Sequence, residues 1–366
     1  MNLAYAQQWP SDSSASWNAD PQVELESVPC VLCGGHQFET VLFATDPTTK
    51  IGGRFRVVRC CDCRFVFTNP RPTEESIGFF YPPSYGPYSG RDDEPEQNHS
   101  WEHRLEGAVL RSDFGYPPQP VHPGDRLLSK VGRLLIRRTR RRQAWIPFRE
   151  PGRLLDFGCG AGDFLRRMKG FGWSVEGLDM SEDVARSVQE KTGIRIHVGS
   201  LPHHDIQPET YDAVTMWNSL EHVHHPRQVV REAAKALRPG GLLVVGVPNF
   251  ASWSFKAYQQ HWYALELPRH LSHFTPESLQ ELIAGEGLRI HSLLHIGRSG
   301  CLRKSAKRAT QAASGSWWSR ACRWKPLCLM TTDWTERTGQ ADFIRVIAEK
   351  TTNFCSLSAK RMDLRS

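Results

Sequence analysis

No long apolar run occurs in the 366 residues, and none approaches the roughly 18 residues that a membrane-spanning helix requires. Residues 1–20 are rich in serine and glutamine and lack the apolar centre of a secretory signal. We therefore expect a cytoplasmic protein whose 10 cysteines are reduced. Clustered cysteines in that setting indicate metal ligation rather than disulfides.

The excess of one charge sign is small: the formal net charge is +7, a mild basic excess for this length. Such an excess permits an anionic partner but does not require nucleic acid. Hydrophobic residues make up 39% of the chain, which is enough for a substantial core. The length fits one large domain and one small domain.

One glycine-rich stretch carries most of the chemical information. Leu154–Phe164 begins with an apolar run and continues into Gly158, Gly160 and Gly162 before an amphipathic pattern starts. This order predicts a strand, a tight turn and a helix, with free backbone N–H groups that suit a polar or anionic ligand. Asp179 closes the next predicted strand, where an acid can accept both hydroxyls of a ribose. The glycine spacing alone overlaps with that of dinucleotide-binding proteins.

Three features, taken in their order along the chain, resemble the signature of class I S-adenosylmethionine-dependent methyltransferases. They are Leu154–Phe164, Asp179 and Leu237–Gly241. Asp156 adds to this, because a hydride-transfer fold normally has an apolar residue there. The resemblance implies an α/β fold over residues 150–351, with a Rossmann-like, doubly wound, seven-stranded sheet whose last strand is antiparallel. It also implies that S-adenosyl-L-methionine is bound by Asp156, Gly158, Cys159, Gly160, Gly162, Asp179, Met180, Ser200, Leu201, Asn218 and Leu220.

Two Cys-x-x-Cys knuckles lie near the N-terminus. They are Cys30–Cys33 and Cys60–Cys63, and four thiolates spaced in this way suit a tetrahedral Zn²⁺. Cys61 is an alternative to Cys60, but Cys60 keeps the spacing of the first knuckle. Because a site with four protein ligands is closed, we expect a structural zinc in a zinc-ribbon-like module over residues 25–75. The predicted ligands are Cys30, Cys33, Cys60 and Cys63.

This module is similar to that of a subset of methyltransferases which carry an N-terminal zinc-binding unit and modify sugars and other small metabolites. Thr40–Phe43 and Phe55–Val58 would form its hairpin. Glycine usually follows the second knuckle in that subset, and Arg64 stands there in this chain. The segment after the ribbon packs over the cofactor cleft in such proteins. Tyr81 and Tyr85 are therefore candidates for pocket walls, or for simple aromatic packing in a proline-rich loop.

The remaining segments are predicted to connect or extend these units. Residues 1–24 are polar and expected to be disordered, and residues 352–366 form a C-terminal tail. Residues 76–149 are predicted to hold a linker and a basic amphipathic helix whose arginines face solvent or an anionic partner. Residues 296–335 are basic and rich in tryptophan. They predict an insertion of one or two helices that packs on the sheet, closes as a lid or contacts a membrane surface.

Methyl transfer from a sulfonium is an in-line displacement, so the enzyme mainly holds the nucleophile and the methyl carbon in line. A hydroxyl acceptor also needs a base, and the rate should then rise with pH through the pKa of that base. His222 follows a buried predicted strand and is the first candidate, followed by His270 and His273, although each could instead bond a backbone carbonyl. The predicted substrate-binding residues are Tyr81, Asn249, Trp262 and Arg269. Arg269 could instead pair with Glu266.

Two classes of acceptor stay open. The aromatic loop at residues 253–263 favours an enclosed small molecule, such as a sugar, a glycan precursor or a secondary metabolite. Alternatively, the zinc ribbon and the arginine-rich helix could dock RNA or protein. The Asn-Pro-Pro-Tyr motif of base methylation is lacking, since Asn218-Ser-Leu-Glu221 occupies the corresponding place. The sequence therefore predicts a methyltransferase with a small-molecule acceptor and makes nucleic acid the less favoured partner.

Overall fold

The computed structural model describes residues 23–46, 53–82, 85, 101–116, 145–312 and 320–351. Its strands in chain order are β1 (Leu25–Glu26), β2 (Phe38–Ala44), β3 (Phe55–Cys60), β4 (Val66–Thr68), β5 (Arg71–Pro72), β6 (Arg153–Phe157), β7 (Ser174–Asp179), β8 (Ile196–Val198), β9 (Tyr211–Trp217), β10 (Leu237–Pro248), β11 (Ser272–His273), β12 (Leu288–Ile296) and β13 (Phe343–Lys350). Its α-helices are α1 (Trp101–Phe114), α2 (Asp163–Gly170), α3 (Glu182–Thr192), α4 (Pro226–Ala236), α5 (Trp253–Tyr258), α6 (Pro276–Gly285), α7 (Ser299–Gln311) and α8 (Lys325–Arg337).

One large sheet has the strand order β12-β13-β10-β9-β6-β7-β8. The strands from β6 to β10 pair in parallel, whereas β13 is antiparallel to both β10 and β12. β9 and β10 lie in the middle, where six of the seven residues of β9 and eight of the twelve residues of β10 are buried, as expected for central strands. The topology confirms the predicted seven-stranded α/β sheet with an antiparallel last strand.

The parallel strands bring three segments to one edge of this sheet. The glycine turn follows β6, Asp179 ends β7, and residues 218–222 follow β9. Because β6 lies between β7 and β9, these carboxyl ends are neighbours in space. Ligands of open α/β sheets bind at such an edge, so the topology places the predicted cofactor residues where a ligand should lie.

The N-terminal segment forms a second, antiparallel sheet in the order β11-β4-β3-β2. β2 and β3 are the predicted hairpin, and both extend beyond the predicted bounds. β11 comes from the large domain, where Ser272 and His273 pair with Phe67 and Val66 of β4. The ribbon therefore shares a sheet with the loop before α6, a contact that knuckle spacing alone does not reveal.

Helix ends agree with the sequence in one case and differ in another. Thr275 followed by Pro276 and Glu277 is a sequence pattern that predicts a helix cap, and Thr275 does accept the backbone N–H of Ser278 at the start of α6. The apolar spacing in Arg227–Arg238 predicts a helix over these residues, but α4 ends at Ala236, because Leu237 takes an extended backbone and begins β10.

The segment between β12 and β13 contains the helices α7 and α8, in agreement with the predicted insertion of one or two helices. Trp324 and Trp334 on this segment have largely exposed side chains. The basic helix predicted within residues 76–149 falls mainly on positions outside the described residues, as do both chain termini. Within the described parts of the chain, no helix combines the length and the apolar character needed to cross a bilayer.

Candidate functional site

A glycine turn joins β6 to α2. Gly158 and Gly162 have φ values of 72° and 75°, a backbone region that residues with a Cβ rarely adopt. A Cβ on Gly158 would lie 2.5 Å from the Cβ of Ser219, and one on Gly162 would lie 2.7 Å from Cγ1 of Val188. The turn therefore requires glycine both for its backbone shape and for the close approach of the segments around it.

Asp179 lies beside this turn. Its Oδ2 accepts the backbone N–H of Gly160 at 2.8 Å, and its Oδ1 accepts that of Ser181 at 3.0 Å. Burial raises the pKa of this carboxyl group above its usual value. The next residue, Met180, has a 70% exposed apolar side chain that a bound ligand could cover. The structure thus brings together the predicted cofactor residues Gly160, Asp179 and Met180.

Asp156 lies beneath the turn rather than on its surface. Its carboxylate is 2% exposed and accepts the hydroxyl of Thr215 at 2.6 Å, which ties β6 to β9. Burial raises its pKa to about 7, an effect that the hydrogen bond from Thr215 only partly offsets. Cys159 is buried as well, and its backbone N–H donates to the Leu178 carbonyl at 3.2 Å. Asp156 and Cys159 therefore both lie in the buried region that supports the glycine turn.

The segment after β9 contains buried polar atoms that lack partners. They belong to consecutive or nearly consecutive residues: Trp217 Nε1, Asn218 Oδ1, Ser219 Oγ and both carboxylate oxygens of Glu221 have no hydrogen-bond partner among the described residues. An unsatisfied buried polar group costs about 1–3 kcal/mol. Several such groups in one segment beside a glycine turn therefore fit a polar ligand, such as the cofactor that the family resemblance implies.

The other predicted cofactor residues contribute mainly packing. Ser200 and Leu201 follow β8, where Ser200 is partly exposed and Leu201 is buried. Leu201 and Leu220 both belong to the main hydrophobic core. These leucines therefore fix the loops after β8 and β9 against the sheet.

His222 follows β9 in a short 3₁₀ turn and is partly exposed. Its Nδ1 lies 2.9 Å from the hydroxyl oxygen of Tyr81 and 3.1 Å from the carbonyl oxygen of Arg269. Because a carbonyl can only accept, this geometry assigns the proton to Nδ1 and leaves Nε2 unprotonated. Burial lowers the pKa of His222 to about 4, so the ring is neutral at pH 7 and Nε2 can accept a proton.

Glu221 is a site residue that sequence reasoning missed. Its carboxyl group is 1% exposed, and burial raises its pKa to about 8. One of its oxygens lies 4.0 Å from His270 Nε2. The donor atoms of Glu221, His222 and His270 all lie within 4.8 Å of one another, so this cluster could also share a cation. The available sequence signal is an acid directly before the candidate base, just after a buried strand.

Two of the three candidate histidines lie together and the third does not. The rings of His222 and His270 are 4.6 Å apart and nearly perpendicular, and burial lowers the pKa of His270 well below its usual value. His273 is also buried, but its Nε2 lies 3.1 Å from Oγ1 of Thr68 in the ribbon sheet. The geometry therefore favours His222 and His270 for chemistry and places His273 between the two sheets.

Arg269 is fully buried and bound to groups of the protein itself. Its guanidinium donates to both carboxylate oxygens of Asp46, at 2.7 Å and 3.1 Å, and to the Phe80 carbonyl oxygen at 3.1 Å. The bidentate partner of Arg269 thus comes from the ribbon segment and is not Glu266, the alternative partner that the sequence offers. This ion pair fixes the Arg269 carbonyl that contacts His222, which makes Arg269 a positioning residue in this geometry.

The other predicted substrate residues differ in their surroundings. Trp262 and Asn249 are buried; Trp262 Nε1 donates to Asp342 at 3.2 Å, and Asn249 Nδ2 donates to the Ala341 carbonyl at 2.9 Å. Both bonds hold the loop after β10 against the start of β13. Tyr81 is partly exposed and contacts His222, so it is the member of the predicted set whose hydroxyl reaches the histidine cluster.

The four predicted zinc ligands converge. Cys30 Sγ lies 3.5 Å from Cys63 Sγ, and Cys33 Sγ lies 3.5 Å from Cys60 Sγ. Sulfurs of a tetrahedral zinc with Zn–S bonds of about 2.3 Å would be roughly 3.8 Å apart. The four thiols therefore fit a zinc ion. Cys61 is exposed and lies outside this set.

The second knuckle keeps its turn although glycine is absent. Arg64 has a φ of 62°, and its backbone N–H donates to the Cys60 carbonyl at 3.1 Å. The Arg64 side chain lies 3.0 Å from a carboxylate oxygen of Glu39. An arginine can thus occupy the left-handed position, at some conformational cost.

We expect Cys60→Ser to lose a tightly held zinc, because it removes one of four thiolates from a closed site. Cys61→Ser should keep the metal, since the Cys61 side chain is exposed and outside the cluster. Elemental analysis of both variants, purified without chelators, measures this. If Cys61→Ser loses zinc and Cys60→Ser keeps it, Cys61 is the ligand. If the wild-type protein contains no zinc, the proposed zinc site in the ribbon is wrong.

Part of this chain is similar to known proteins. Residues 127–293 match a family model described as a methyltransferase domain. The ubiquinone biosynthesis O-methyltransferase of Hydrogenovibrio crunogenus is 34% identical over 119 residues, which cover 31% of this chain and 48% of that protein. The protein of the same name from Aliivibrio fischeri is 42% identical over 95 residues, covering 24% of this chain and 41% of that protein. The matches thus span less than half the length of these two relatives.

Part of this chain is also similar to a solved structure. A SAM-dependent methyltransferase from Archaeoglobus fulgidus is 16% identical to this chain, with a TM-score of 0.40. The match covers 60% of this chain and 94% of that protein.

Proposed function

We propose that this chain is an S-adenosylmethionine-dependent methyltransferase that transfers a methyl group to a small-molecule hydroxyl acceptor. The match of residues 127–293 to a methyltransferase domain supports the reaction class. The observation that carries the proposal is the row of buried, unpartnered polar atoms from Trp217 to Glu221 beside the glycine turn. Such atoms need a polar ligand. The Gly158–Gly162 turn and Asp179 would hold S-adenosylmethionine, and the cluster of Glu221, His222 and His270 would face the acceptor.

The fold supplies positioning, which is the main requirement of this reaction. When bound, S-adenosylmethionine provides an activated methyl group for in-line displacement. Holding the two reactants in line can lower the barrier by roughly 7–11 kcal/mol. The rigid elements that serve this purpose are the glycine turn, the loop after β9 and the buried pair of Arg269 with Asp46.

His222 is the proposed general base. Its Nδ1 is engaged by the Arg269 carbonyl and the Tyr81 hydroxyl, so the ring is held in one orientation. Its low pKa keeps Nε2 unprotonated at neutral pH, ready to take the proton of an acceptor hydroxyl. His270 lies against this ring, and Glu221 supplies a buried carboxyl group within the same cluster.

Two observations support a small-molecule acceptor. The named relatives are O-methyltransferases of ubiquinone biosynthesis, which favours a small hydroxylated acceptor. The aromatic loop after β10 and the tyrosines near His222 favour an enclosed site. Sugars, glycan precursors and secondary metabolites all fit this description. RNA or protein docked by the zinc ribbon is the alternative, and the arginine-rich helix it would use lies outside the described residues.

Transfer of a labelled methyl group tests the proposal. The full-length protein is incubated with methyl-labelled S-adenosylmethionine and, separately, with hydroxylated aromatic compounds, sugars, RNA and protein. We expect label in a small hydroxyl compound, and much less label with Asp179→Ala at the same cofactor concentration, because the cofactor site loses its acid. Label that enters only RNA or protein would contradict the small-acceptor proposal and support the alternative.

For the basic and tryptophan-rich insertion at residues 296–335, contact with a membrane surface stays a prediction. Trp324, Met330 and Trp334 are exposed apolar residues on or beside α8, and Arg320 and Arg323 lie near Trp324 around a shallow cavity. Interfacial surfaces combine exposed apolar and basic side chains in this way. Sedimentation with anionic and with neutral lipid vesicles tests this predicted contact. If the protein binds neither kind of vesicle, the prediction is wrong.

A further inference from the structure

A second cluster of histidines and acids lies away from the Glu221 cluster, on β8 and the loop that follows it. His197 has a side chain that is 2% exposed and lies between two carboxylates. Its Nε2 is 2.9 Å from Glu176 Oε2, and its Nδ1 is 3.4 Å from Asp205 Oδ2. His203 and His204 complete the cluster, and their rings stack at 4.6 Å.

The hydrogen bonding of Glu176 fixes the tautomer of His197. Glu176 accepts from the Tyr211 hydroxyl at 3.1 Å and from Arg153 at 3.3 Å, as well as from His197. Glu176 therefore lies among three hydrogen-bond donors, the environment of an ionised carboxylate. An ionised carboxylate only accepts, and His197 Nε2 must therefore carry the proton.

The second ring nitrogen of His197 faces another carboxylate. With Nε2 donating to Glu176, Nδ1 of a singly protonated ring lies 3.4 Å from Asp205 Oδ2 with no proton between the two acceptors. Asp205 Oδ2 also pairs with Arg195 at 3.2 Å, but that arginine is 63% exposed and such surface pairs are weak. A cation placed between Nδ1 and Oδ2 would remove the repulsion.

The distances suit a metal ion. Two ligands of a tetrahedral zinc with bonds of about 2.0–2.1 Å are separated by roughly 3.3 Å, close to the observed 3.4 Å between His197 Nδ1 and Asp205 Oδ2. One ligand atom each from His197, His203 and Asp205 lies within 4.8 Å of the others. The Glu176–His197 bond is also the arrangement by which proteins orient a metal-bound imidazole.

We propose that His197, His203 and Asp205 bind a divalent cation of the zinc class, with Glu176 as the acceptor that orients His197. Mixed imidazole and carboxylate ligands favour zinc, cobalt or nickel over magnesium or calcium. Three protein ligands leave one position for water or an added ligand. Because Ser200 and Leu201 lie between these ligands in sequence, the cation would fasten that loop onto β8.

The site requires a rearrangement of His203. In the structure its Nδ1 accepts the Asp205 backbone N–H at 3.2 Å, and its Nε2 lies 3.2 Å from the Val198 carbonyl oxygen. Both are long contacts of a surface side chain, so binding of a cation can replace one of them. His204 is 85% exposed, with Nε2 3.5 Å from Asp205 Oδ1, and could serve as a further ligand.

Equilibrium dialysis of the full-length protein against Co²⁺ at neutral pH, followed by elemental analysis, tests the site. The cysteine cluster is expected to retain zinc, so this site should add one exchangeable Co²⁺ per chain, with visible absorption of a four-coordinate ion. His203→Ala and Asp205→Asn should each weaken this binding by at least about 10-fold. His225→Ala is the matched control, since His225 is exposed and lies 3.4 Å from Glu74 in another part of the surface.

Several outcomes would overturn the proposal. It fails if the wild type takes up no additional Co²⁺, or if His203→Ala and Asp205→Asn bind it as the wild type does, which would show adventitious binding. It also fails if nitrogen NMR at pH 7 shows that His197 is protonated on both ring nitrogens without Co²⁺, and if Co²⁺ added at that pH does not bind. A proton would then relieve the repulsion from Asp205.

A related effect rests on the proposed function. If the loop with Ser200 and Leu201 borders the cofactor, Co²⁺ should raise the affinity for S-adenosylmethionine in the wild type and leave it unchanged in Asp205→Asn. Calorimetry measures both. Failure of the proposed function would abolish cofactor binding but leave Co²⁺ uptake intact, so the two failures can be distinguished.

Discussion

His222→Ala is expected to lower the turnover of bound substrate by about 10²–10⁴-fold, the usual contribution of general-base catalysis. The reason is geometric: His222 holds its Nδ1 against the Arg269 carbonyl and leaves Nε2 free to take a proton. Cofactor affinity should change little, because the glycine turn and Asp179 lie on other segments. Single-turnover kinetics with saturating substrate, together with calorimetry of the cofactor, measure the two effects separately.

The pH profile gives a second test of the same residue. Since burial lowers the pKa of His222 to about 4, the base is unprotonated at neutral pH. Its contribution should be lost only as pH falls toward 4, and the rate should be flat from about pH 6 to about pH 7. A change near pH 8 would belong to Glu221, whose pKa burial raises to about 8.

Matched variants locate the base. His273→Ala should keep most of the activity, because His273 bonds Thr68 and not the His222 cluster. A fully active His222→Ala beside an inactive His270→Ala would move the base to His270. If all three variants stay active, no histidine base is needed and catalysis rests on positioning.

Breaking the ion pair between Asp46 and Arg269 should lower the free energy of unfolding by about 3–5 kcal/mol. Both side chains are fully buried, so Asp46→Ala leaves an uncompensated guanidinium inside the protein. The same change frees the loop whose carbonyl holds His222, so activity should fall as well. Urea unfolding followed by tryptophan fluorescence measures the stability.

Two comparisons separate this effect from ordinary loss of a contact. Arg186→Ala removes an exposed ion pair with Glu182 and should leave the midpoint of unfolding unchanged. The double variant Asp46→Leu with Arg269→Met should recover much of the stability, because no unpaired charge remains buried. An Asp46→Ala protein as stable as the wild type would show that the pair does not hold the ribbon to the large domain.

Features encoded by neighbours in the sequence were predictable. The glycine turn, the buried strands and the knuckles each depend on residues a few positions apart. For that reason the seven-stranded sheet and the hairpin agree with the structure, and the sulfurs that converge are those of Cys30, Cys33, Cys60 and Cys63. Thr275 is another local case, since a helix cap depends on the residue that follows it by three positions.

Contacts between distant segments were not predictable. Arg269 finds Asp46 across 223 positions, whereas the sequence offered the nearby Glu266. The pairing of β11 with β4 likewise joins segments that no local pattern relates. Glu221 was missed because its chemistry comes from burial, and burial of a single carboxylate depends on everything packed around it.

Calorimetric titration of the purified protein with S-adenosylmethionine tests the central claim most directly. We predict one binding site per chain for S-adenosylmethionine and for its demethylated product, and no binding of NAD. Asp179→Ala should weaken both by about 10–100-fold, because a ribose loses a charged hydrogen-bond acceptor. A folded protein that binds NAD, and does not bind S-adenosylmethionine, would contradict the account.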